Sequence, residues 1–106
     1  MNILQYTDFL ADKPSVFQLR KNENIHQFAV ALGNNCLLKK HTTAVPTNLI
    51  MLKGEVKFSL PDEDIILKEL DVFEIPVEVE HEVLGLTDEN LFVITKELAH
   101  DEEVFE

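Results

Sequence analysis

His41 and His81 bracket the stretch HTTAVPTNLIMLKGEVKFSLPDEDIILKELDVFEIPVEVEH, and they are the residues of this chain best suited to chemistry. Imidazole changes charge near neutral pH, so a pair of them can pass protons or clamp a polar ligand. Thr43 and Thr47 follow the first histidine and offer hydroxyls that orient a substrate without supplying charge. Further upstream, period-two counting along IHQFAVAL puts His26 on the same face as Phe28, Val30 and Leu32. If that face lines an interior, His26, His41 and His81 form a three-imidazole set able to meet a divalent ion. The plainer reading packs His26 against Phe28 and leaves His41 and His81 hydrogen-bonded to the threonines, with no role in catalysis. Met51, with Leu49 and Phe58, is read as wall, since small-molecule sites are mostly apolar. Cys36 has only Lys39 and Lys40 nearby to activate it, and its default is a buried, inert thiol.

The elements that must position these groups are short and extended. Residues 3–12 carry Ile3, Leu4, Phe9 and Leu10 with a Thr7-Asp8 pair that could cap a helical turn, ended by Pro14. VFQLR at 16–20 and IHQFAVAL at 25–32 read as strands, and Gly33-Asn34-Asn35 makes the next turn. CLLKKHTT leads to His41; strict alternation there places Leu37 and Lys39 on its side and Cys36, Leu38 and Lys40 on the other, an order that a bulge would reverse. Pro46 bends the chain into TNLIMLK at 47–53, and Lys53-Gly54 turns it into EVKFSL. After PDED at 61–64 come IILKEL and then VFEIPVEVEHEVLGL, broken by Pro76. Glu78, Glu80 and Glu82 read as the charged outer face of the segment that carries His81. DEN at 88–90 turns into a last strand, LFVITKEL. About nine strands joined by short links, with no long helix, predict an all-β sandwich or barrel.

Composition narrows the function classes. At 106 residues the chain suits one domain over 1–106, with a modest core and no need of staples. A net charge of −11, from 9 basic and 20 acidic residues, would repel a phosphate backbone, so no nucleic-acid partner is expected. No apolar run is long enough to span a bilayer, and MNILQYTDFLADK has no basic region ahead of an apolar core, so neither membrane insertion nor a secretory signal is expected. One cysteine excludes an internal disulfide and fits a reducing compartment, here read as the cytoplasm. The acidic stretch at 98–106 reads as a solubilising tail.

The spacing over residues 37–94 resembles the cupin superfamily. In that family's first motif a His is followed by a second His, a Glu and a Gly; the matching positions here are His41, Thr43, Thr47 and Gly54. Its second motif has a Gly, a Pro, a Gly and a His, and this chain has Leu70, Pro76, Glu78 and His81, with Asp71 in the usual acidic place. The resemblance implies a cupin-like double-stranded β-helix or jelly-roll barrel. It also implies that Thr43 and Thr47 replace a metal-binding imidazole and carboxylate. No firmly held cofactor is therefore expected; a divalent transition metal would have to use His41, His81 and His26. Three functions follow. The first is binding of a small organic molecule by His41, Thr43, Thr47, Met51, His81 and His26. The second is a metal-dependent oxygenase or an isomerase; metal-free family members also use a Tyr and a carboxylate, whereas the one Tyr here, Tyr6, lies in the N-terminal segment. The third is a structural dimer with a filled barrel. Small cupins pair as homodimers, and residues 1–14 could be exchanged between subunits.

Overall fold

The computed structural model describes residues 1–98. A short 3₁₀ turn at Ile3–Gln5 precedes nine strands: β1 (Ser15–Lys21), β2 (Ile25–Leu32), β3 (Leu37–His41), β4 (Thr47–Lys53), β5 (Val56–Ser59), β6 (Asp64–Leu67), β7 (Val72–Ile75), β8 (His81–Gly85) and β9 (Asn90–Glu97). They form two antiparallel sheets facing each other, one in the order β1-β2-β9-β4-β7 and the other β3-β8-β5-β6. The expected all-β architecture and strand number are thus observed. The alternation read in the sequence makes the core between the sheets: Val30 and Leu32 from β2, Leu49 and Met51 from β4, Val56 and Phe58 from β5, Val83 from β8 and Phe92 from β9 are all buried there. Each large apolar side chain so removed from water contributes about 2 kcal/mol.

The outer face of the five-stranded sheet carries a second apolar layer. Ala29, Ala31, Leu91 and Val93 are buried there beneath Ile3, Phe9 and Leu19, and Tyr6 stacks on Phe17 with ring centroids 4.9 Å apart. The N-terminal segment therefore lies over its own sheet, pinned where the Gly33 amide donates to the Leu10 carbonyl at 2.9 Å. Its helical content is smaller than the sequence suggests. The turn is capped by Asn2, whose side chain accepts from the Leu4 amide, and not by Thr7-Asp8; the Thr7 hydroxyl instead donates back to the Ile3 carbonyl at 3.1 Å.

Two further segments depart from the sequence reading. IILKEL stops being a strand at Leu67, because Asp71 closes a turn on Lys68: the Asp71 amide donates to the Lys68 carbonyl at 2.9 Å and its carboxylate accepts from the Lys68 amide at 2.8 Å. The chain after Pro76 is a loop as far as Glu80. Of the three glutamates expected on one strand face, only Glu82 lies on a strand. Glu80 sits at the rim, 3.9 Å from the Lys40 ammonium, and Glu78 has a left-handed backbone with φ 64°. Of the acidic stretch at 98–106, all but Leu98 lies outside the described residues.

The turns that close the barrel depend on Asn90, whose place in DEN predicts no more than a turn residue. Its side chain is fully buried. The Nδ2 donates to the carbonyls of Leu32 and Thr87, while Oδ1 accepts from the amides of Glu55 and Thr87. Gly54 beside it has φ 77°, and a Cβ there would collide with the Glu89 carbonyl oxygen. The Lys53-Gly54 turn can therefore approach Asn90 only as glycine.

Candidate ligand site at the barrel mouth

His41 and His81 are direct cross-strand partners on β3 and β8. Their rings meet edge to face with centroids 4.3 Å apart. A bulge creates this pairing: between Leu38 opposite Val83 and His41 opposite His81, β3 carries Lys39 and Lys40 where β8 carries only Glu82. The extra residue reverses the alternation expected from the sequence. Cys36 is buried and Leu38 lines the interior together with His41, whereas Leu37 is exposed.

Both rings are oriented in the same way. His41 Nδ1 lies 2.8 Å from the Lys39 carbonyl oxygen and His81 Nδ1 lies 3.1 Å from that of Val79. A carbonyl can only accept, so in each neutral ring Nδ1 carries the proton and Nε2 keeps its lone pair. Neither Nε2 has a hydrogen-bond partner among the described residues. His81 is buried, at 2% exposure, and stacks on Phe58 at 5.0 Å. Its pKa is held below the ordinary 6.5, chiefly by burial; the Val79 carbonyl opposes that shift, and the charges of His41 and Lys96 add to it. His41 stands at the exposed rim.

The two rings line a cavity of about 40 Å³ between the sheets, together with Thr43, Thr47, Lys96 and an apolar wall that includes Phe28 and Phe58. A water needs roughly 10–15 Å³, so the space holds a few waters or one small polar group. Thr47 is satisfied, since its hydroxyl donates to the Val45 carbonyl at 2.9 Å. Thr43 is not. Its residue is 5% exposed, and Oγ1 is buried without a partner among the described residues. Such an orphan costs about 1–3 kcal/mol unless something enters to meet it.

Lys96 belongs to the site and was not singled out from the sequence. It falls in a row that crosses the five-stranded sheet in register, Lys21 on β1, His26 on β2, Lys96 on β9 and Thr47 on β4. Its ammonium lies 5.7 Å from the Phe28 ring centroid, in the range of a cation–π contact. The signal was available: the alternation of LFVITKEL places Phe92, Ile94 and Lys96 on one face. A lysine at a strand end simply reads as solvated.

The remaining candidates lie elsewhere. His26 does not line the cavity; its ring packs on Phe28 at 4.8 Å, and Lys96 is its cross-strand neighbour. Burial, followed by the charges of Lys21 and Lys96, lowers its pKa. Met51 is fully buried in the core and likewise does not line the cavity. Among the described residues no three His, Cys, Asp or Glu side chains come together. An ion between His41 and His81 would meet two neutral nitrogens, with no carboxylate to offset its charge and an ammonium on the same cavity wall. That donor set does not fit a divalent cation.

No family model matches this sequence, and no curated protein matches it. Solved structures do. A conserved protein of unknown function from Streptococcus pyogenes superposes with a TM-score of 0.81 at 11% identity, covering 94% of this chain and 87% of that one. A cupin superfamily protein from Desulfitobacterium hafniense gives 0.78 at 14% identity over 86% and 83% of the two chains. An RmlC-like cupin from Desulfovibrio desulfuricans gives 0.77 at 21% identity over 91% and 93%. Identities this low speak for architecture and not for activity. On that footing, the two facing sheets, the nine strands and these likenesses make the chain a small protein of the cupin fold.

Proposed function

We propose that the chain binds the polar end of a small organic molecule at the barrel mouth, without a firmly bound metal ion and without turnover. The observation that carries this reading is the buried hydroxyl of Thr43, which has no partner among the described residues and lines a cavity shared with two imidazoles whose Nδ1 atoms are the ones bonded to carbonyls. At about 40 Å³ the interior is far below the roughly 300 Å³ at which enclosed ligand pockets begin. Only a head group enters, and the rest of the ligand leaves past His41 at the rim. Native mass spectrometry of untagged protein tests this reading: a copurified organic mass lost in Thr43→Val is expected. The metal-enzyme alternative instead requires near-stoichiometric Fe, Mn, Ni, Cu or Zn that is lost in the His41→Ala, His81→Ala double variant.

A homodimer is the second part of the proposal, and the filled-barrel structural reading shares it. On the outer face of the five-stranded sheet Val72 pairs with Ile50 and is 66% exposed. Leu52 and Leu4, both exposed, flank a groove of about 510 Å³ between the N-terminal segment and the end of β4. A second copy would cover the part of this apolar face that the N-terminal segment leaves open. Light scattering of Val72→Glu tests it: the native chain runs as a dimer and the variant as a monomer. A native monomer removes the proposal.

A further inference from the structure

The polar atoms at the mouth fall into two kinds, and the sorting identifies what they complement. Lys96 Nζ and Thr43 Oγ1 can donate. The Nε2 atoms of His41 and His81 can only accept while their Nδ1 protons are given to the carbonyls of Lys39 and Val79. A ligand that satisfies both kinds presents an acceptor, most strongly an anionic one, and a donor within the same head group. The charge pattern agrees. In a chain of net charge −11, the row Lys21, His26, Lys96 concentrates basic groups beside the cavity. No carboxylate lies within ion-pair distance of Lys96 among the described residues, where Lys40 and Lys53 do have such partners. A low-dielectric cleft with one sign of charge focuses attraction for the opposite sign.

We propose that the head group taken here is that of a short 2-hydroxycarboxylate. Lys96 and Thr43 donate to its carboxylate, and an imidazole Nε2 accepts from its 2-hydroxyl. The other common short acids fit less well. A 2-amino acid adds a second cation to a cleft already lined by the Lys96 ammonium, and a 2-oxo acid has no donor for Nε2. A neutral amide loses the charge-assisted bond to Lys96, which is the strongest contact on offer. At about 40 Å³ the cavity admits little more than the carboxylate, so the 2-hydroxyl meets Nε2 of His41 at the rim and the substituent points outward. This inference rests on the binding reading above and sharpens it to a ligand class.

The test is an NMR titration of the full chain with lactate, pyruvate, alanine and lactamide, followed at the imidazole resonances of His41 and His81 and the amide of Thr43. Lactate is expected to bind, with lactamide weaker by roughly tenfold or more, the worth of a hydrogen bond to a charged group. Pyruvate and alanine should fall between lactate and no binding. Lys96→Met, which keeps an apolar stem on Phe28, should weaken lactate by a similar factor. Lys57→Met on the outer face of β5, with the same change in net charge, should leave it unaltered. If lactamide, pyruvate or alanine equals lactate, or Lys96→Met binds lactate as the native chain does, the hydroxycarboxylate assignment is wrong while the pocket reading stands. If no probe moves these resonances, both fall. The comparisons of lactate with lactamide and with pyruvate use the native protein and are decisive even if Lys96→Met fails to fold.

Discussion

The amide of Glu78 donates to the carbonyl of Thr43 at 2.8 Å, so the loop before His81 holds the loop after His41. Glu78 makes this bond from a left-handed backbone, φ 64°, at a position where the related motif has glycine. The left-handed region costs a side-chain-bearing residue about 1–2 kcal/mol. Glycine relieves that strain but adds roughly 0.5–1 kcal/mol of chain entropy to the unfolded state. Glu78→Gly should therefore stabilise the fold by about 0.5–1 kcal/mol, read as a higher urea midpoint with an unchanged slope. Glu78→Val should destabilise it, because a β-branched residue resists positive φ more strongly.

Leu70 repeats the same arrangement at the other glycine position of that motif. It is the third residue of the Lys68–Asp71 turn, with φ 70°, where type II turns favour glycine. Its side chain is 80% exposed, so removing it sacrifices almost no packing. Leu70→Gly should raise thermal stability by a similar increment, and the gain should add to that of Glu78→Gly because the two turns share no partner. Differential scanning calorimetry checks this: a lower midpoint for Leu70→Gly would show that backbone strain at Leu70 is not what limits this turn.

Asn90 should be among the costliest polar positions to change. Asn90→Ala removes partners from the Leu32 and Thr87 carbonyls and from the Glu55 and Thr87 amides, a loss of about 3 kcal/mol or more. Asn90→Asp keeps acceptors for the amides but turns an anionic oxygen toward the Leu32 carbonyl, so it should rescue little at neutral pH. Denaturant titration of both variants measures this directly.

Stability should fall on mild acidification, with His81 as one cause. The folded state holds its pKa below 6.5, so the unfolded chain is the better proton acceptor. The favourable contribution is complete above that value. It is lost as pH drops from there toward the lowered folded pKa, with a slope of up to about 1.4 kcal/mol per pH unit for one proton. His26 is shifted in the same direction and adds to the slope. Chemical denaturation across this window should show a shallower dependence in His81→Phe, whose ring can still stack on Phe58. An unchanged profile would assign the dependence to other groups.

Much of the barrel was legible because period-two alternation and Gly or Pro punctuation survive in this chain. IHQFAVAL and TNLIMLK coincide with β2 and β4 to the residue: a slip would turn Met51 of β4 away from the core, and in β2 it would drive Leu32 into the place of the small Ala31 beneath the N-terminal segment. The left-handed turns were less legible: a sequence lacking glycine at Leu70 and Glu78 looks like a lost motif, although the backbone keeps its course through both. Lys96 was missed because a terminal lysine is indistinguishable in sequence from a solvated one; its place depends on Thr47 and His26, which are distant along the chain. Asn90 was read as a turn residue for the same reason, since its partners span from Leu32 to Thr87.

The additional residue in β3 works as a phase shifter. Deleting either Lys39 or Lys40 would restore plain alternation, with one residue between Leu38 and His41 facing the one, Glu82, between Val83 and His81. His41 would stay opposite its partner and on the side of Leu38. The doubled lysine thus sets the local bend of the rim, and the pairing of the two imidazoles should survive the loss of one of them.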